Sequence, residues 1–266
     1  MDAHPYLRPV AELCARIEHA AAATRAASPA IPSFDDYAAD FREGVPLLRS
    51  SDAAIDLEPA GTMTRELAEK VAADPSNEDM AEEASDLAAE LRARPDGPRL
   101  VADWLLGDAE LEPSAPGLLR YLGWTAMARY LGPIVGGFAG WRDEEKWHRK
   151  YCPTCGSAPT MGLLVGVDPG RQRFLCCGGC RTRWRYRRTQ CPYCENDAQR
   201  LSVVAIDGEG GLRLDVCEEC KGYLKTYDGQ GNEAVLLADW TSLHLDLLAR
   251  DRGLKRLAAS LYELPD

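Results

Sequence analysis

The chain has no apolar run clean enough to cross a membrane, and it has few of the residues from which hydrolytic or nucleotide-dependent catalysis is built. Its most apolar stretch, Leu118 to Ala139, is broken by Arg120, Arg129 and Pro133 and contains Gly132, Gly136 and Gly137. It reads as a buried helix with a glycine-rich exit rather than a bilayer span. Only four histidines occur in 266 residues. His4, His19 and His244 stand alone, and no Ser/His/Asp or paired-carboxylate arrangement is visible. Phosphate-loop and dinucleotide fingerprints are missing as well. Met1-Asp2-Ala3-His4-Pro5 offers neither a basic start nor an apolar stretch, so a secretory signal is not supported and a cytoplasmic location is expected. These absences predict a protein that is not an enzyme.

Cysteine is what the chain has in quantity: ten residues, nine of them between Cys152 and Cys220. In a reducing compartment such a density points to metal ligation instead of disulfides. Charge divides at the same place. Residues 1–150 hold 16 Lys/Arg against 27 Asp/Glu and residues 151–266 hold 15 of each, so the whole net charge of -11 belongs to the first part. A boundary near residue 150 follows, with two parts that face different partners or each other.

Before that boundary, apolar residues recur at helical spacing, as in Val10, Leu13, Cys14 and Ile17 or Met80, Ala84, Leu87 and Leu91. Prolines cut the region into about six expected helices packed as an irregular bundle, with Ser33 and Ser114 as candidate starts. After it come short alternating strands and glycine turns. The final stretch, Asp239 to Leu261, returns to helix, with Trp240, Leu243, Leu247 and Leu248 expected on one face and Asp239 or Thr241 as cap.

The cysteine region is duplicated. Cys152 and Cys155 map onto Cys191 and Cys194 at an offset of 39, whereas Cys177 and Cys180 map onto Cys217 and Cys220 at an offset of 40. Laying Leu164 to Asp168 over Val203 to Asp207 puts the extra residue in the glycine turns at Asp168-Pro169-Gly170 and Asp207 to Gly211, where a hairpin tip tolerates it. Each repeat reads as knuckle, strand, turn, strand, knuckle, strand.

A Cys-x-x-Cys turn brings two sulfurs toward one ion, and two such turns complete the tetrahedral sulfur set that zinc accepts, or iron in a rubredoxin-like centre. Site one is therefore expected at Cys152, Cys155, Cys177 and Cys180, and site two at Cys191, Cys194, Cys217 and Cys220. Thiol-disulfide chemistry is the rival reading of any one pair, yet it normally uses a single pair at a helix start, and all four pairs here lie in β-rich repeats. Four sulfurs close the coordination sphere, so the sites are structural or redox, not hydrolytic. Cys176, whose counterpart is Val216, and Cys14, on a helical stripe, read as packing residues. His148 reads as a surface or outer-sphere residue beside the first site.

No acidic residue lies between Asp168 and Glu195, while arginines accumulate. On a strand, Arg181, Arg183, Arg185 and Arg187 would point one way and Trp184 and Tyr186 the other. That exposed comb is a candidate partner-binding surface, for an acidic protein surface or the chain's own first part. Nucleic acid is the alternative, opposed by the negative total charge.

The run Cys152-Pro153-Thr154-Cys155-Gly156-Ser157-Ala158-Pro159 resembles the formate dehydrogenase accessory protein FdhE family. The likeness continues through Phe174 to Cys180, Trp184, Cys191 to Cys194, and Cys217-Glu218-Glu219-Cys220-Lys221-Gly222-Tyr223-Leu224-Lys225. It implies a cytoplasmic, non-enzymatic assembly factor for exported respiratory formate dehydrogenase, binding the catalytic subunit before export. It also implies a rubredoxin-like, iron-binding domain with iron on the eight cysteines named above, zinc being the alternative. Cys176 and the arginine comb are outside the matching pattern. The expected architecture is α+β: an acidic helical domain over 1–149, rubredoxin-like (zinc-ribbon-like) four-cysteine β modules over 150–188 and 189–238, and a C-terminal helical segment over 239–266.

Overall fold

A computed structural model describes residues 5, 8–24, 28–74, 78–167, 169–205, 211–228 and 239–259. Among these, the first part holds six α-helices: α1 (Arg8–Ala23), α2 (Ala38–Glu43), α3 (Glu58–Ala72), α4 (Glu78–Arg92), α5 (Gly97–Leu106) and α6 (Pro116–Trp141). The buried stripes follow the sequence periodicity, with Ala11, Cys14, Ile17 and Ala21 on α1 and Ala84, Leu87, Ala88 and Leu91 on α4. Prolines sit in the first turns of α3, α5 and α6, where a missing N–H costs nothing. Ser33 accepts a bond from the Asp36 amide at 3.4 Å ahead of α2, whereas α6 follows Ala115 with no side-chain cap.

Helix α6 is the longest of the bundle, burying Leu119, Leu122, Ala126, Leu131, Ile134 and Phe138. The expected glycine-rich exit is not an exit: Gly132, Gly136 and Gly137 lie inside the helix, which runs on to Trp141. Pro133 and Arg129, whose carbonyl it leaves without a helical donor, are both exposed, and the helix continues past the proline. Among the described residues no helix is long and apolar enough to cross a membrane.

The cysteine half forms one six-stranded sheet. Strands β1 (Met161–Val165), β2 (Gln172–Cys176), β3 (Arg183–Tyr186), β4 (Leu201–Ala205), β5 (Leu212–Cys217) and β6 (Tyr223–Tyr227) run in the order β3-β2-β1-β6-β5-β4. All neighbours are antiparallel except β1 and β6, which are parallel. Each repeat gives the expected three strands, and the second lies beside the first in the same order, related by a step across the sheet. Helix α7 (Leu243–Asp251) covers β5 and β6, where Leu245 and Ala249 join Leu214, Val216 and Tyr223.

Register moves the repeat offset from its expected place. Met161 lies opposite Cys176, and Ser202 lies opposite Val216, the counterpart of Cys176. Met161 therefore corresponds to Ser202, an offset of 41, so two residues are added ahead of β4, at the 3-10 turn Ala198–Arg200, and one is removed from the hairpin. Asp168 and residues 206–210 of the turns lie outside the described residues. Helix α7 also buries a different face from the expected one: Leu245, Asp246 and Ala249 are inside, while Leu247 is 41% and Leu248 37% exposed. The helix starts after Ser242, and residues 260–266 are outside the described part.

One apolar cluster joins the two halves. It runs from Tyr37, Phe41, Phe138 and Trp147 through Cys152, Cys155, Cys177 and Cys180 to Trp184 and Leu224. Trp147 stacks on Phe41 at 5.2 Å between centroids, and its Nε1 donates to the Tyr151 carbonyl at 3.0 Å. The residues leading into the first knuckle are thus fixed by aromatic burial.

Candidate metal centres

All four Cys-x-x-Cys turns share one backbone bond, and three share a second. The amide of the first cysteine donates to the carbonyl five residues on: Cys152 to Ser157 at 2.9 Å, Cys177 to Thr182 at 3.0 Å, Cys191 to Asn196 at 2.8 Å and Cys217 to Gly222 at 2.9 Å. In three of the turns its carbonyl accepts from the amide four residues on, at Gly156, Arg181 and Glu195. The fifth residue of every turn is left-handed, with φ of 84° at Gly156, 58° at Arg181, 63° at Glu195 and 56° at Lys221. Three of the four turns hold that conformation without glycine, against a cost of about 1 kcal/mol or more per residue.

Two sets of four sulfurs result, Cys152, Cys155, Cys177 and Cys180, and Cys191, Cys194, Cys217 and Cys220, each set within 4.8 Å. In the first, Cys152 and Cys180 are 3.4 Å apart, Cys155 and Cys177 3.4 Å, and Cys155 and Cys180 3.7 Å. In the second, Cys191 and Cys220 are 3.8 Å apart and Cys194 and Cys217 3.6 Å. A tetrahedral set with metal–sulfur bonds near 2.3 Å has edges of roughly 3.8 Å, so both sets could hold an ion. None of the ten cysteines is in a disulfide.

A further partner recurs two residues after each second cysteine. Ser157 Oγ lies 3.4 Å from Cys155 Sγ, Thr182 Oγ1 3.1 Å from Cys180 Sγ, Asn196 Nδ2 3.5 Å from Cys194 Sγ, and the Gly222 amide 3.4 Å from Cys220 Sγ. Sequence reasoning missed these four positions, although their constant offset was a readable signal. Thr182 also bonds the Thr154 hydroxyl at 2.8 Å, pinning the two knuckles of the first set together.

Charge is distributed unevenly inside each set. Contact with the other three sulfurs holds Cys155 well below the usual thiol range, while burial pushes Cys152 up. Burial opposes ionisation of Cys194, but bonds from Asn196 and Cys217 outweigh it and bring it down to about 7; burial pushes Cys191 up to about 12. Four thiolates this close need a cation among them.

The two sets differ in cover. All four residues of the first are buried; Cys194 and Cys220 of the second are half-buried. The first set is enclosed by the helical half: the Leu47 and Leu48 amides donate to the Pro153 and Thr154 carbonyls at 2.9 and 2.8 Å, and Trp124 of α6 packs on Gly178 and Gly179. Cys176 packs with Met161 and Leu163, and burial pushes its thiol up to about 12. Cys14 packs against α3 and α6, its thiol likewise raised to about 12 by burial. His148 is exposed and outside both sets.

On β3 the alternation is as expected, with Trp184 and Tyr186 buried and Arg183 and Arg185 half-buried. Arg181 precedes the strand, in the left-handed position of the knuckle. Two of the comb arginines meet the first half of the chain: Arg181 pairs with Glu18 of α1 and Arg185 with Glu145. Arg187 is exposed.

Residues 151–188 match the family model described as FdhE, central domain. The chain is similar to the Protein FdhE homolog of Aquifex aeolicus (33% identical over 133 residues, 48% of this chain and 47% of the relative) and that of Pseudomonas aeruginosa (30% over 171 residues, 60% and 54%). It is also similar to Protein FdhE of Escherichia coli, 29% identical over 148 residues, 53% of this chain and 47% of the relative. The matched region spans about half the length of these relatives. The crystal structure of the FdhE protein from Pseudomonas aeruginosa superposes with a TM-score of 0.65 at 22% identity, over 95% of this chain and 86% of that one, a likeness of fold. The cysteine half is thus similar in sequence to the FdhE central domain, and the chain shares the fold of the Pseudomonas aeruginosa FdhE protein.

Proposed function

We propose that this chain is a non-enzymatic accessory factor in the maturation of respiratory formate dehydrogenase, acting in the cytoplasm and binding the catalytic subunit through its metal-stabilised half. The observation that carries the reading is the pair of closed four-sulfur sets inside an FdhE-type fold. Cys152, Cys155, Cys177 and Cys180 take one ion, and Cys191, Cys194, Cys217 and Cys220 the other. The ion, iron by family likeness or zinc by donor chemistry, neutralises the thiolates and ties distant segments together. Four protein sulfurs leave no open position for substrate, which supports a structural or electron-holding role over hydrolysis.

The rest of the chain shapes the surface. Arg181 and Arg185 hold the cysteine half on the acidic half through Glu18 and Glu145, and the exposed Arg187 is left to a partner. Spending two of four arginines internally argues against a nucleic-acid surface. Co-purification with a tagged formate dehydrogenase catalytic subunit tests the reading: enrichment over an unrelated molybdoenzyme is expected, and equal recovery of both refutes it.

A further inference from the structure

The sheet ends in two edges, and among the described residues only one of them is closed. Along β3, Arg142 Nη2 donates to the Arg183 carbonyl at 2.5 Å, and the Arg185 amide donates to Glu144 Oε2 at 3.3 Å. Residues 142–144 therefore stand where a further strand would pair, a familiar way to blunt an edge. Along β4 no such cover exists among the described residues, and Val203 is 56% exposed.

The backbone of β4 is set for pairing. Glu218 donates its amide to the Arg200 carbonyl at 2.9 Å, in register with Leu201 opposite Cys217. Antiparallel partners alternate between bonded and unbonded pairs. Ser202 and Val204 accordingly bond to β5, while Leu201, Val203 and Ala205 turn N–H and C=O toward the open side.

The first repeat shows what fits this edge. Met161, Gly162 and Leu163 of β1, the counterparts of Ser202, Val203 and Val204, are covered by β6 running parallel, opposite Lys225, Thr226 and Tyr227. A second copy of the chain cannot supply the equivalent strand, because the counterpart of β6 is β3, whose edge Arg142 and Glu144 occupy. We infer that β4 is the docking edge for an extended segment of the client polypeptide, added parallel to β4 as β6 is added to β1. This inference rests on the proposed client binding and names the surface that performs it.

The chemistry of the segment follows from the edge. At Gly162 a Cβ would come within 2.6 Å of Thr226 Oγ1; Val203 stands at that position, so the incoming strand carries a small residue there. A hollow of about 250 Å³ beside the edge is lined by Val203, Tyr193, Arg173, Arg188, Arg213 and Asp215. Three cations against one carboxylate favour an acidic residue two places from the small one, on the same face of the incoming strand. Main-chain bonds supply affinity and the alternate side chains supply selectivity.

The test measures amide exchange over residues 201–205 of the full chain, with and without the purified formate dehydrogenase catalytic subunit, and titrates the Val203→Pro and Val203→Lys variants. Proline at an outward-facing edge amide spares the β5 ladder. Slowed exchange at Leu201, Val203 and Ala205, with roughly tenfold weaker binding by Val203→Pro from the lost main-chain bonds, is the expected result. Unchanged circular dichroism would show that the variant folds. Binding without protection at these amides, or equal affinity of Val203→Pro, overturns the inference and leaves the proposed function standing. So does protection that grows with chain concentration alone, since a second copy would then cover the edge. If the wild-type chain ignores the subunit, the proposed function falls, and a synthetic peptide of residues 221–228 with Thr226→Gly, which puts the small residue opposite Val203, decides the edge. Binding of that peptide to wild type but not to Val203→Pro supports strand addition, and no binding overturns it.

Discussion

Replacing Lys225 by methionine isolates the device that holds the C-terminal helix on the second repeat. Lys225 Nζ lies 2.8 Å from Asp239 Oδ1, 2.6 Å from Asp246 Oδ2 and 2.6 Å from the Asp239 carbonyl. Arg256 completes the set at 2.7 Å from Asp246 and 2.8 Å from Asp239, and the Tyr223 hydroxyl donates to Asp246 at 2.6 Å. Two cations meet two carboxylates where the side chains of Lys225, Asp239, Asp246 and Arg256 are 0, 3, 0 and 13% exposed. Methionine keeps the volume and leaves one guanidinium facing two buried carboxylates. Breaking a buried pair from one side costs about 3–5 kcal/mol. The loss is directed at the second metal set, because the Lys255 amide behind α7 donates to the Lys221 carbonyl at 2.7 Å and the Tyr223 amide to the Lys255 carbonyl at 3.2 Å. Urea unfolding of Lys225→Met is expected to show the unfolding free energy falling by that amount, with a correspondingly lower midpoint. A chromophoric chelator is expected to draw metal from the second set roughly 100-fold faster or more, about 3 kcal/mol of easier opening, with the first set unaffected. An unchanged midpoint, or equal acceleration at both sets, refutes the reasoning.

Three further outcomes are expected. In the wild-type chain a chelator should remove metal in two phases of equal amplitude, the fast one from the second set with its half-buried Cys194 and Cys220 and absent from Cys194→Ser; a single phase would contradict the difference in cover. Gly61→Ala should lower stability by about 1–3 kcal/mol through overpacking, since its Cβ would meet the Pro98 carbonyl oxygen at 1.8 Å; thermal melts check it. Burial alone would raise the Asp239 carboxyl, but Lys225 and Arg256 outweigh it and hold it below the usual carboxylate range. The stability it contributes is then fully present above about pH 4 and lost as pH falls through the lower native value. Fluorescence of Trp240, 4.3 Å from the Tyr121 ring, reports that loss, and a flat acid titration would exclude it.

How much of this was legible in the sequence depended on how local each feature is. The eight sulfurs could be paired by arithmetic because each knuckle is a five-residue unit and the duplication repeats it. The alternation of Trp184 and Tyr186 with Arg183 and Arg185 was readable for the same reason, and Arg181 escaped it by taking the left-handed place in its turn. The parallel pairing of Met161 with Lys225 joins residues too distant for any local pattern to reveal. The same holds for the helix face of α7: Leu247 and Leu248 looked like core, but Asp246 is inside because Lys225, on β6, demands a carboxylate. Register placed the added residues ahead of β4 and not in the glycine turn, since hydrogen bonding across the ladder, not composition, decides where a loop takes up length.

The central claim is that two ions, each held by four thiolates, build the cysteine half. Protein purified without air and analysed for metals, beside titration of accessible thiols, tests it directly. Two ions per chain, with the eight sulfurs unreactive until the metal is withdrawn and the sheet lost on withdrawal, is the predicted result. A chain that carries no metal yet keeps its sheet, or one whose cysteines are joined as disulfides in the cell, would contradict it.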